Sequence, residues 1–250
     1  MCADKTDIAH SVNRSSGLLF DRAMLPDAHA GMLKPTHWQA APNAERGGRG
    51  AVWFVATPAA DAVLRHYRRG GLVARFARDR YFWTGSENTR SFAEFRLLLQ
   101  LREHSLPVPR PILAGYRRCW PLHYRADLLM EQIKQATSLA ELMRAGAIDS
   151  SVLSALGITL ARFHQVGVDH ADLNAHNVLF DREGQWWVID FDRGRLRQPD
   201  AHWPQQRLRR LQRSMRKLMD GDPTQADRWW QQLQQAHDAA AREHGWMGLI

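Results

Sequence analysis

The segment from His170 to Gly194, HADLNAHNVLFDREGQWWVIDFDRG, limits what this chain can fold into more than any other stretch. NVLF at 177–180 and QWWVID at 185–190 are apolar runs rich in branched and aromatic residues. The polar turn DREG at 181–184 separates them, and the pattern reads as a β-hairpin. Asn177 opens the hairpin and Asp190 closes it. A hairpin brings the chain back to where it began, so an amide oxygen and a carboxylate converge. Both are hard oxygen ligands of the kind that suits Mg²⁺, an ion that keeps several waters and binds a few protein oxygens together with substrate phosphates. Asp172 precedes Asn177 on the other side of that point. It is placed to orient an attacking hydroxyl or to take its proton.

The upstream half reads as a mixed sheet and helix region. PNAERGGRG at 42–50 is a glycine-rich loop, and AVWFVA at 51–56 with AVLRHY at 62–67 forms a second hairpin behind it. Backbone N–H groups of such a loop can approach phosphates, which makes Gly48 and Gly50 candidate nucleotide contacts. Arg65, on the second strand, is the candidate phosphate-binding cation. SFAEFRLLLQLRE at 91–103 has helical spacing, and the helix should end before Pro107. Glu94 has two readings there: an ion pair with Arg65, or a capping box with Ser91. LLMEQI at 128–133 reads as a strand followed by a crossover, and Glu131 and Ile133 on it complete the candidate nucleotide contacts. The expected division is an N-terminal lobe over 1–131 and a C-terminal lobe over 132–250.

Helical patterns dominate beyond that boundary. Ser138 and Glu141 match a capping box, residues 150–164 carry an apolar face, and the chain is helical again from about Trp203. In this last part Leu208, Leu211, Met215, Leu218 and Met219 share a face, surrounded by Arg207, Arg209, Arg210, Arg213, Arg216 and Lys217. That helix either packs its apolar face into the lobe or lays its arginines against anionic lipid.

The net charge is +8 over 250 residues, which favours a polyanionic partner without choosing one. A nucleic-acid-binding protein is the reading that charge alone would suggest. The carboxylates and amide of the 170–194 segment speak against it. Cys2 and Cys119 make neither a disulfide framework nor a metal motif. His164, His170 and His176 match no zinc spacing. The polar N-terminus shows no secretory signal. The longest apolar run, 51–56, falls far short of the roughly 20 residues of a membrane-spanning helix.

The parts of the 170–194 segment occur in the order found in protein kinases, whose catalytic loop is H-R-D-x-x-x-x-N and whose further metal ligand is the Asp of D-F-G. His170, Asp172 and Asn177 match the loop. Ile189-Asp190-Phe191-Asp192 matches D-F-G, with Asp192 where glycine would stand. In that pattern His170 is a structural residue that bonds the loop backbone. VLRHYRRGG at 63–71, DRYFW at 79–83, PVPRPI at 107–112 and HADLNAHNVL at 170–179 together resemble the 3-deoxy-D-manno-octulosonic acid (Kdo) kinases, relatives of the lipopolysaccharide core kinases. The resemblance covers roughly residues 17–220. It implies an α+β, bilobal protein-kinase-like fold, with a β-rich N-terminal lobe and a mostly helical C-terminal one. It implies ATP and Mg²⁺ as cofactors, Asp172 as the catalytic residue, and Asn177 and Asp190 as metal ligands. It further implies phosphorylation of the Kdo 4-hydroxyl on a Kdo–lipid A acceptor, with no nucleic-acid partner; the alternative is a kinase for another acceptor, such as a core heptose or a protein side chain. The expected location is the anionic cytoplasmic surface of the inner membrane, as a peripheral protein. Arg65 stands where most kinases have lysine, and a planar guanidinium does not replace an ammonium contact for contact.

Overall fold

A computed structural model describes residues 6–38, 51–68, 79–119, 122–198 and 202–243. Gly48 and Gly50 lie outside the described residues. The chain divides into two compact units. One comprises 1–99 with 109–132, and the other 100–108 with 133–250. Residues 100–108 are tied to the second unit by local bonds. Val188 N–H donates to the Pro107 carbonyl (3.1 Å), and Arg162 donates to the Ser105 carbonyl (2.9 Å).

The first unit is built on an antiparallel sheet. Its strands are β1 (Ile8–Val12), β2 (Ser16–Asp21), β3 (Ala51–Ala56), β4 (Asp61–His66), β5 (Tyr81–Phe82), β6 (Pro111–Cys119) and β7 (His123–Glu131). The order is β1-β2-β6-β7-β4-β3, and β5 pairs with β7. The expected hairpin of 51–67 is β3–β4, with Val52 opposite Arg65. β1, β2 and β6 were not anticipated from the sequence. Leu64, Ile112, Leu113 and Leu129 form the centre of the core under the sheet, with Phe20 and Leu25 at its side. A buried ion pair, Arg110 to Asp21 at 2.8 Å, ties the end of β2 to the entrance of β6. Backbone N–H groups of Asp7 and Ala23 also donate to Asp21 Oδ1, so the desolvated carboxylate keeps several partners.

Helix α1 (Arg90–Glu103) spans the division between the units. Its start corrects one expectation. Ser91 does not form a capping box with Glu94. It is buried, and its hydroxyl donates to the Gly115 carbonyl (2.9 Å). The helix begins two residues earlier than the box requires, and Glu94 faces β4.

The second unit holds β8 (Thr137–Ser138), α2 (Leu139–Ala145), α3 (Ser150–Val166), β9 (Val168–Asp169), β10 (Val178–Phe180), β11 (Trp186–Val188), β12 (Arg195–Leu196), α4 (His202–Leu218) and α5 (Pro223–Glu243). The Ser138–Glu141 capping box opens α2. α3 and α5 approach closely at Gly157. A Cβ built there would lie 2.3 Å from the Leu233 carbonyl oxygen and 2.9 Å from the His237 nitrogen. α3 ends at Gly167, whose φ of 90° is left-handed, and its N–H donates to the His164 and Phe163 carbonyls. The chain then enters β9 and the loop that carries the candidate chemistry.

Candidate active site

The hairpin β10–β11 pairs Val178 with Val188, and Ile189 N–H donates to the Asn177 carbonyl (3.0 Å). Asn177 and Asp190 are therefore brought to the same end of the hairpin. The Ile189 carbonyl is held from the other side by His170 Nε2 at 3.0 Å. His170 Nδ1 in turn accepts from the Asp172 N–H (3.1 Å). A ring nitrogen that accepts from an amide carries no proton, so Nε2 is the protonated one. Burial holds the His170 pKa below its ordinary value, which keeps this neutral tautomer. The Asp190 and Asp172 carboxylates both oppose that shift at the same imidazole. Phe191, fully buried, packs its ring against His170 with centroids 4.8 Å apart. One histidine thus joins the loop of Asp172 to the strand end of Asp190.

The side chains at this place have distinct orientations. Asn177 Nδ2 donates to the Asp172 carbonyl (2.9 Å), which turns the amide oxygen the other way. Asp190 has a φ of 64°, a left-handed conformation that aspartate tolerates better than most residues. Among the described residues no group of three or more His, Cys, Asp or Glu side chains could enclose a metal. Two oxygen donors, one amide and one carboxylate, instead fit a hard cation that completes its shell with water and phosphate oxygens.

Asp172 is half-exposed, and its Oδ1 accepts from Arg210 of α4, at 2.9 Å from Nε and also from Nη2. This contact belongs to a stripe. Arg207 binds the Asp169 carboxylate, Arg210 binds Asp172, and Ser214 Oγ accepts from the Ala175 N–H (3.1 Å). α4 therefore runs along the loop in register with it. Asp169 is buried and also receives Arg195 (3.1 Å) and Arg197 (3.4 Å). Burial alone would raise its pKa, but hydrogen bonds from Arg207 and Arg195 outweigh that and hold it below the usual carboxylate range. These contacts were not read from the sequence. Asp169 and Asp172 are three residues apart, as are Arg207 and Arg210, but nothing within either segment says that the two would meet. Arg207, Arg210 and Arg216 all pair with carboxylates of the chain, the last with Asp227.

In the first unit Arg65 of β4 pairs with Glu94 of α1, and Tyr67 Oη donates to the same carboxylate oxygen (2.6 Å). The Arg65 guanidinium also lies 4.5 Å from the centroid of the Tyr67 ring. Burial first, and the Glu94 charge second, push the Tyr67 pKa well up, so the phenol stays a donor. Glu131 ends β7 opposite Ala62, and its N–H donates to the Arg110 carbonyl (2.8 Å). Ile133 is the first residue of the second unit beyond that strand.

Residues 36–237 match the lipopolysaccharide kinase (Kdo/WaaP) family. The chain belongs to that family. It is 52% identical over 204 residues to a 3-deoxy-D-manno-octulosonic acid kinase of Stenotrophomonas maltophilia (strain K279a), covering 80% of each chain. It is 47% identical over 226 residues to the enzyme of the same name from Xanthomonas campestris pv. campestris (strain B100), covering 89% of this chain and 90% of that one. Among solved structures, WaaP in complex with acyl carrier protein superposes with a TM-score of 0.54 at 14% identity, covering 91% of each chain. The fold is thus the kinase-like one, and the protein is a lipopolysaccharide kinase, an ATP-using phosphotransferase. Among the described residues of this kinase no helix is long and apolar enough to cross a membrane.

Proposed function

We propose that this kinase transfers the γ-phosphoryl group of ATP to the 4-hydroxyl of Kdo on a Kdo–lipid A precursor. The relatives' shared name supports the sugar acid as acceptor. The observation that carries the site is the two-sided hold on Ile189 by His170 and Asn177, which gathers Asp172, Asn177 and Asp190 around one loop.

In this reading Asp172 accepts the hydrogen bond of the sugar hydroxyl and takes its proton. The sugar oxygen bonds to phosphorus as the bond from phosphorus to the ADP oxygen breaks. The transition state is loose, so the residues mainly position groups and neutralise charge. Asn177 and Asp190 would hold Mg²⁺, which supplies charge neutralisation at the nucleotide phosphates when bound. Arg65, braced by Glu94 and Tyr67, is the proposed phosphate contact of the first unit. Glu131, Ile133, Gly48 and Gly50 are the further proposed nucleotide contacts. A peripheral location on the cytoplasmic face of the inner membrane suits a glycolipid acceptor and the net charge of +8.

The test is mass spectrometry of purified Kdo–lipid A after incubation with the protein and Mg–ATP. The expected result is one added phosphate on the Kdo sugar. Phosphate appearing only on heptosylated core or on protein would overturn the acceptor assignment.

A further inference from the structure

Arg210, like Arg216 with Asp227, pairs in solvent, but of the paired arginines Arg207, Arg210 and Arg216 it is the one that meets a carboxylate of the 170–177 loop. Arg207 reaches a carboxylate that is 2% exposed, whereas the Arg210 and Asp172 side chains are 45% and 48% exposed. A solvated pair of this kind contributes little to stability. Arg210 uses Nε and Nη2 on one carboxylate oxygen, Oδ1. The guanidinium has five N–H donors in a fixed fork, so several remain beside the oxygen that would receive the acceptor hydroxyl. The loop itself supplies no fixed cation there, since residues 170–177 include neither Lys nor Arg. Arg213 and Lys217 follow Arg210 on the same helical face and are exposed, and among the described residues neither has an ion-pair partner.

We propose that Arg210 is an acceptor-recognition residue, whose guanidinium binds the carboxylate of the sugar acid while Asp172 engages the hydroxyl of the same ring. This inference rests on the proposed function and names the contact that selects its acceptor. The carboxylate and the reacting hydroxyl are fixed on one sugar ring, so a fork held at Asp172 can read the acid and align the hydroxyl together. A neutral hexose would leave the remaining N–H donors of Arg210 without an anion and would gain nothing from them. Arg213 and Lys217 extend the positive face away from Asp172, toward further anionic groups of the acceptor.

The experiment measures transfer by the wild type and by Arg210→Gln on Kdo–lipid A and on the same glycolipid with its sugar carboxylates methyl-esterified. For the wild type, esterification is expected to raise the acceptor KM roughly 10- to 100-fold, the range expected for a lost charge-assisted hydrogen bond. Arg210→Gln is expected to raise the KM for the acid by a similar factor, leave the KM for ATP unchanged, and treat acid and ester alike. A wild type that ignores esterification would overturn the inference without recourse to any variant. So would a variant that still separates acid from ester, or one that loses only kcat, equally on both acceptors. Absence of transfer by the wild type to either Kdo acceptor would instead overturn the proposed function, and this inference with it.

Discussion

Asp169 and Asp172 lie one helical turn's length apart in sequence, and each meets an arginine one turn apart on α4. Their surroundings separate them. Asp169 is sealed under three guanidinium groups, while Asp172 is open to solvent and shares one oxygen with Arg210. The first arrangement anchors the loop, since a desolvated carboxylate is tolerable only with such partners. The second leaves a carboxylate oxygen available to a ligand. The same residue pair, aspartate with arginine, therefore anchors one end of the loop and leaves an accessible carboxylate at the other, where the proposed chemistry lies.

The sharpest way to break this comparison is to remove each carboxylate in turn. Asp172→Ala should lower the transfer rate by about 10²- to 10⁴-fold, the usual share of a positioned acid–base group. Its urea midpoint should stay close to that of the wild type. A turnover within a few-fold of the wild type would remove Asp172 from the proposed mechanism. Asp169→Asn should do the reverse in stability. It leaves Arg207 half-sealed with a neutral partner, and we expect a loss of about 2 kcal/mol in chemical unfolding. An unaltered unfolding curve would mean that the three arginines are solvated without penalty.

Packing beneath the loop supplies a third, comparable test. Gly157→Ala forces α3 away from the Leu233 carbonyl, and overpacking of this kind typically costs about 1–3 kcal/mol. Because α3 leads directly into β9, activity should fall along with the thermal midpoint. A stable variant with full activity would show that α5 can retreat.

The smallest effects concern pH, and the two units should respond in opposite directions. In the first unit the hydrogen bond that His66 Nδ1 donates to the Asp127 carboxylate, at 2.6 Å, raises the His66 pKa above 6.5. That contribution is complete below pH 6.5 and is lost as the pH rises through the raised value. In the second unit burial, together with the neighbouring His237, lowers the His164 pKa well below 6.5, and burial lowers that of His237. The unfolded chain takes up those protons first, so this stability is present above pH 6.5 and declines as the pH falls toward the lowered values. Asp127→Asn should lower the thermal midpoint most below pH 6.5, where that contribution is complete, and remove its decline on the alkaline side of pH 6.5. A flattening confined to the acid side would contradict the assignment.

Local periodicity made the β10–β11 hairpin, α3 and most of α1 readable, because each buries one face at regular spacing. β1 was not readable, since only Ala9 of its residues is buried and little alternates. β6 was hidden for the opposite reason: its first six residues are all buried, and it starts on the last proline of PVPRP, which reads as an irregular segment. Ser91 illustrates a local rule overruled by distance, for its hydroxyl found a carbonyl of β6 before it could cap. The candidate ligands were readable because a hairpin brings its own ends together. The arginines of α4 were not, because no periodicity within α4 says which carboxylates it will face.

The hold on Ile189 uses only its main-chain N–H and carbonyl. The identity of the side chain at 189 is thus largely uncoupled from the placement of Asp190. This position can drift among residues of similar bulk while the neighbouring ligand stays put. By contrast, His170 can be exchanged only for a residue that donates and accepts at the same separation, so tolerance to substitution should change abruptly between these two touching positions.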